Sequence, residues 1–178
     1  MKAYNDREYE TALRFFTEGQ TLPQSLGAGI WNHCKRIPLR YREALCLEKL
    51  GRTGEAREIW SYIARVEIEY FSNMHLPELP YYQALSWDHL GEELKSRALI
   101  TAYRRKWEAV KDVRDNGFFA TTPFFMPFVD AASDLRRARY LYLTGLLDAY
   151  CERTEQARLK MRESYALNND NLMALLYV

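Results

Sequence analysis

His33 stands beside Cys34, and an imidazole next to a thiol can generate a nucleophile or offer two metal ligands. Neither chemistry is completed nearby. No third ligand follows in sequence, and His75 and His89 belong to no HExxH pair or other ligand spacing. A glycine-rich phosphate loop, a GxSxG elbow and a dinucleotide fingerprint are all lacking. Glu55, Glu58, Glu92 and Glu93 fall on helix faces or first turns, where a carboxylate suits the helix dipole. The residues therefore predict a non-enzymatic chain with no catalytic residue, no cofactor and no metal site. Cys34, Cys46 and Cys151 are odd in number and form no CxxC pair, which argues against a disulfide framework and predicts reduced, buried thiols. Two runs interleave cations with aromatics, Tyr103-Arg104-Arg105-Lys106-Trp107 and Arg136-Arg137-Ala138-Arg139-Tyr140, a combination that can serve single-stranded nucleic acid. Against that reading, 25 Lys plus Arg balance 24 Asp plus Glu, so the chain has no field to draw in a polyanion. Both runs read instead as solvated helix faces, and no nucleic-acid partner is expected.

The elements that carry these residues are helical. Apolar residues make up 48% of the 178 positions, enough for a sizeable core. None of them forms the run of roughly 20 apolar residues a membrane span needs. The polar start MKAYNDREYE resembles no secretory signal. A cytoplasmic protein with no membrane partner is the expectation.

Tyr9, Ala12, Leu13 and Phe16 predict an amphipathic helix over about 6–20. Residues 20–37, with Pro23, Gly27 and Gly29, read as an irregular connection. A helix from Pro38 to Leu50 should stop at Gly51 in a left-handed cap, with Thr53 capping a second helix that runs to about Phe71. Helices over about 80–90, ending at Gly91, and about 92–113 come next. Asp115-Asn116-Gly117 then marks a turn into the Phe118 to Phe128 patch, which Pro123 and Pro127 keep from being one regular helix. That patch reads as an insertion, either a satellite core or a docking or dimerisation surface. A helix should resume from Ala131 to about Cys151, capped by Asp130 or Ser133, with a partner over about 154–167 and a partial cap over 170–178.

Within this order the chain repeats itself. Tyr41, Ala44, Leu45, Leu47, Leu50 and Gly51 are matched by Tyr81, Ala84, Leu85, Trp87, Leu90 and Gly91, and more loosely by Tyr142, Gly145, Leu146 and Glu152. The second helices pair a small residue with a large one four positions on, as in Ala12/Phe16, Ala56/Trp60, Ser96/Ile100 and Ala157/Met161. Small residues let helices approach closely, and the large one fills the groove beside them. A repeated hairpin cannot bury its apolar face alone, so such a pattern predicts stacked copies.

On these residues, with Leu50-Gly51-Arg52-Thr53-Gly54-Glu55-Ala56-Arg57-Glu58-Ile59-Trp60 as the best match, the chain resembles the tetratricopeptide repeat family. The resemblance implies an all-α, right-handed superhelical solenoid of helical hairpins. The single domain 1–178 would comprise a half repeat 5–20, repeats 38–72, 79–113 and 131–167, the insertion 114–130 and a partial cap 170–178. The long repeat periods and Glu152 in place of the turn glycine depart from the family pattern. More narrowly, the succession Tyr9 to Phe16, Leu22-Pro23 to Gly27, Leu79-Pro80-Tyr81-Tyr82 and the Phe-rich insertion is similar to the C-terminal repeats of large bacterial proteins with an upstream, carbohydrate-related β-sandwich domain of unknown function.

If first helices line a concave face, the residues projecting there are Tyr41, Arg42, Leu45 and Lys49, then Tyr81, Tyr82, Leu85 and His89, then Arg139, Tyr142, Leu146 and Tyr150. Tyrosine offers contact area with a hydroxyl handle and Arg or Lys binds carboxylate, so such a groove suits a peptide or an acidic C-terminus. Alternatively, Tyr41, Tyr81 and Tyr142 recur because they pack between repeats. The expected function is a protein-interaction or interdomain scaffold. The competing one is an accessory domain buttressing an upstream catalytic or sugar-binding domain. Exposed solenoid ends would allow self-association through residues 1–20 or 165–178.

Overall fold

The computed structural model describes residues 1–21, 33–67, 76–109 and 129–177, without the side chains of 33–35, 129–133 and 176–177. Every regular element within them is helical: α1 (Lys2–Asn5), α2 (Tyr9–Glu18), α3 (His33–Lys49), α4 (Thr53–Arg65), α5 (Leu79–His89), α6 (Glu93–Ala109), α7 (Val129–Tyr150), α8 (Thr154–Leu167) and a 3-10 turn, Ala174–Tyr177. The all-α expectation holds for them. His75, the Phe118 to Phe128 patch and the Asp115 to Gly117 turn lie outside the described residues, as do the side chains of His33 and Cys34.

One turn design recurs four times among these elements. Gly51 and Gly91 take left-handed φ values of 76° and 83°, and the non-glycines Glu152 and Arg7 do the same at 59° and 63°. The residue after each donates its N–H to the carbonyl five positions back: Arg52 to Leu47 at 2.8 Å, Glu92 to Trp87 at 2.9 Å, Arg153 to Asp148 at 2.9 Å and Glu8 to Ala3 at 2.8 Å. This wrap satisfies carbonyls that a helix end otherwise leaves orphaned. The same residue then opens the next helix, its own carbonyl accepting from Ala56, Ser96, Ala157 or Ala12. Met1–Glu8 thus carries the turn found after the longer first helices, and the helix expected over about 6–20 begins only at Tyr9, after the left-handed Arg7, and ends at Glu18.

Small residues do bring the paired helices together. Ala44, Ala56, Ala84 and Ser96 are fully enclosed, and Ser96 Oγ donates to the Ala84 carbonyl across the hairpin at 2.8 Å. At Gly145 an added Cβ would come within 3.0 Å of Met161 Cε.

Two compact units divide the chain, Met1–Ile100 and Thr101–Val178. In the first, Ala12, Phe16 and Cys46 are buried with Ala3, Tyr4, Leu13 and Leu39 against them, and Trp60, Ile63 and Tyr82 fill the later hairpins. In the second, Leu143, Leu146, Met161 and Ala174 are interior.

Several element ends differ from expectation, each for a local reason. The described part of α3, His33–Lys49, already covers 33–37, expected to belong to an irregular connection, and takes Pro38 inside it. Burial of Ile37 and Pro38 anchors that turn, and Arg42 Nη1 donates to the Pro38 carbonyl at 2.9 Å. Helix α4 stops at Arg65 instead of reaching Phe71, because Val66 turns extended and Gln83 Nε2, from α5, captures the Val66 carbonyl at 2.9 Å. Thr53 is the first helical residue rather than a cap, and Asp130 and Ser133 lie inside α7.

Candidate functional site

In the unit Met1–Ile100 Tyr41, Glu48, Trp60, Tyr82 and His89 come together where α3, α4 and α5 meet. His89, at the last turn of α5, lies flat on the Trp60 indole with ring centroids 3.9 Å apart and planes 7° from parallel. Tyr41, from α3, shares a hydrogen bond of 3.1 Å with His89 Nε2 and tilts against Tyr82 at 5.6 Å. Glu48, one more pair of turns along α3, places Oε1 3.7 Å from His89 Nδ1. Trp60 is buried and its indole N–H meets no acceptor among the described residues. Burial lowers the His89 pKa below the ordinary 6.5, with Lys49 acting in the same direction and Glu48 and Asp88 against it. A neutral ring is therefore favoured, and its bond to Tyr41 fits an O–H donated to a bare Nε2.

Burial sorts the twelve residues expected to line a groove. Tyr41 and Tyr81 are buried, Tyr82 is 1% exposed, and in the second unit Tyr142 is buried and Leu146 is fully enclosed. These side chains are interior. Tyr41 packs across helices, its ring tilted against Tyr82 of α5. Arg42 is 7% exposed and bonded to its own helix through Pro38, so its guanidinium stands mostly inside. Lys49 is exposed, while Leu45, Leu85 and His89 are half-buried. Leu45 and Leu85 hold equivalent register positions on α3 and α5, as do Lys49 and His89. In the second unit Arg139 is exposed and Tyr150 half-buried.

Asp148 is a polar residue that the sequence did not single out. It takes the register position of Leu47 and Trp87, and its carboxylate is buried. Lys160 Nζ approaches Oδ2 at 2.7 Å, while Arg153 donates to Oδ1 through Nε at 2.9 Å and also through Nη2. Burial alone would raise its pKa, but the hydrogen bonds from Lys160 and Arg153 outweigh that and hold it below the ordinary 3.8. A buried carboxylate with two cations is a structural clamp on the α7–α8 turn. Its signal was an acid in an apolar row with Arg five positions on.

The thiols divide. Cys46 is enclosed and burial pushes its pKa up to about 11, which suits an inert core thiol. Cys151 is exposed, contrary to the buried expectation, because it ends α7 at the turn, and Arg104 Nη2 lies 3.0 Å from its Sγ. Among the described residues no three His, Cys, Asp or Glu side chains cluster closely enough to hold a metal ion. No helix among them is long and apolar enough to cross a membrane. No protein-family model, curated protein or solved structure matches the chain.

Proposed function

We propose that this chain is a non-catalytic interaction scaffold, a tetratricopeptide-like solenoid of hairpins that engages an extended peptide or a neighbouring domain on the face of its first helices. One observation carries the reading: Leu45 and Leu85 are half-exposed at equivalent positions of α3 and α5, each followed one turn later by a polar group, Lys49 or His89. Repetition of an apolar contact with a polar one beside it suits a strand-like ligand that spans two copies and meets the same pair twice. The interior Tyr41, Tyr81 and Tyr82 do not touch the ligand in this scheme. They fix the spacing of the helices that present the outer residues.

The test replaces residues that reach solvent instead of the tyrosines, whose loss would unfold the unit. A Leu45→Asp, Lys49→Glu, Leu85→Asp variant with an unchanged far-ultraviolet circular dichroism spectrum should lose partners that wild-type protein retains on an affinity matrix. Equal retention of every partner by both proteins would remove this face from the function.

A further inference from the structure

Beyond any ligand, the junction of α3, α4 and α5 has the form of a proton-sensitive joint. We infer that His89 locks this junction when its imidazole is neutral and loosens it when protonated, so that acid weakens the packing that sets the spacing of the first helices. The geometry assigns the role. The ring is closed on one face by Trp60 at 3.9 Å and tied at Nε2 to Tyr41 at 3.1 Å, so one side chain joins all three helices. In the neutral state Tyr41 donates to Nε2. A proton on Nε2 reverses that bond, because both partners would otherwise point a hydrogen at the same gap, and it places a cation in a half-buried site.

The groups facing the ring decide whether that charge is tolerated. From α3 come Tyr41, Glu48 and Lys49, from α4 the uncharged Trp60, and from α5 itself Asp88. Glu48 is the main compensation, but its carboxylate stands 3.7 Å away with 37% of its side chain exposed, so water screens much of the attraction. Trp60 offers its ring face to a cation, while Lys49 opposes one. Burial remains the leading influence and acts to lower the His89 pKa. The consequence for stability has a definite sign. Above pH 6.5 the ring is neutral folded or unfolded, and the full stability is present. Below 6.5 the unfolded chain takes up the proton first, and stability falls until the pH has passed the folded-state value, after which no more is lost.

His89→Phe keeps a flat ring on Trp60 and removes the proton. Unfolding constants from urea titrations of both proteins at pH about 7.5 and about 5 give the test, since His33 and His75 are common to both. The rise in unfolding constant on acidification should be larger for wild type than for the variant. An equal rise in both would overturn the inference. Should His89→Phe fail to fold, the imidazole resonances of wild type decide, with His89 assigned by elimination through His33→Asn and His75→Asn. A folded-state midpoint below 6.5 supports the joint, and one at or above 6.5 refutes it.

Discussion

Glu152 holds a left-handed conformation at φ 59°, in the place that Gly51 and Gly91 fill in the two earlier hairpins. For an L residue with a Cβ that conformation costs about 1–2 kcal/mol, and the 2.8–2.9 Å bonds closing the turns at Gly51 and Gly91 recur there at 2.9 Å. Glu152→Gly should therefore stabilise the second unit, by about 0.5–1 kcal/mol once the extra freedom of glycine in the unfolded chain is subtracted. The reverse change, Gly51→Ala, should cost about 1 kcal/mol, all of it backbone strain, because an added Cβ there meets no atom within 4 Å. Urea denaturation midpoints measure both. The turn register was legible in the sequence, since Glu152 stood where a glycine was due. Arg7 was not, because nothing in Asn5-Asp6-Arg7-Glu8 marks a left-handed residue and only the bond from Glu8 to Ala3 fixes it. Asp148 was signalled in part by Arg153 five positions on, but its second partner, Lys160, lies on α8, and the linear pattern does not state how that helix faces α7.

At the scale of elements, the small-to-large rule is what the sequence conveyed best. Ala84 and Ser96 touch across the α5–α6 hairpin with no exposed surface, whereas Gly145 faces the flexible end of Met161. The two sites should therefore respond differently to added volume. Ala84→Leu has no room to expand into and should cost about 1–3 kcal/mol, with loss of the Ser96 bond. Gly145→Ala should be nearly neutral, because Met161 Cε can shift and a mid-helix glycine is itself worth about 0.5–1 kcal/mol less than alanine. Thermal unfolding of the two variants separates these outcomes, and an equal loss would mean that Met161 cannot move. Element ends were read less well. The expected bounds of α5, about 80 and 90, fall within one residue of the observed Leu79–His89, since proline and glycine act locally. The end of α4 is set from outside by Gln83, so that boundary was not written in its own segment. The candidate site suffered the same limit: position on a helix was legible, but whether Tyr82 pointed inward or outward depended on neighbours.

For the whole molecule, each compact unit has a core of its own, so stability is expected to be local rather than shared evenly. Trp60 is the largest buried side chain among the α4 core residues, and Trp60→Ala removes both its volume and the platform under His89. Such a truncation costs about 3–5 kcal/mol where the site cannot collapse. If stability is local, amide hydrogen exchange in the variant should accelerate across α3, α4 and α5 while the protected amides of α7 and α8 keep their wild-type rates. Met161→Ala should give the converse, since Met161 is enclosed in the second unit under Gly145. Uniform acceleration through both units in either variant would mean one cooperative transition. The distinction bears on the proposed function: were the chain the scaffold proposed above, local opening would loosen the Leu45 and Leu85 face, or answer a proton on His89, without unfolding the α7–α8 hairpin that Asp148 clamps.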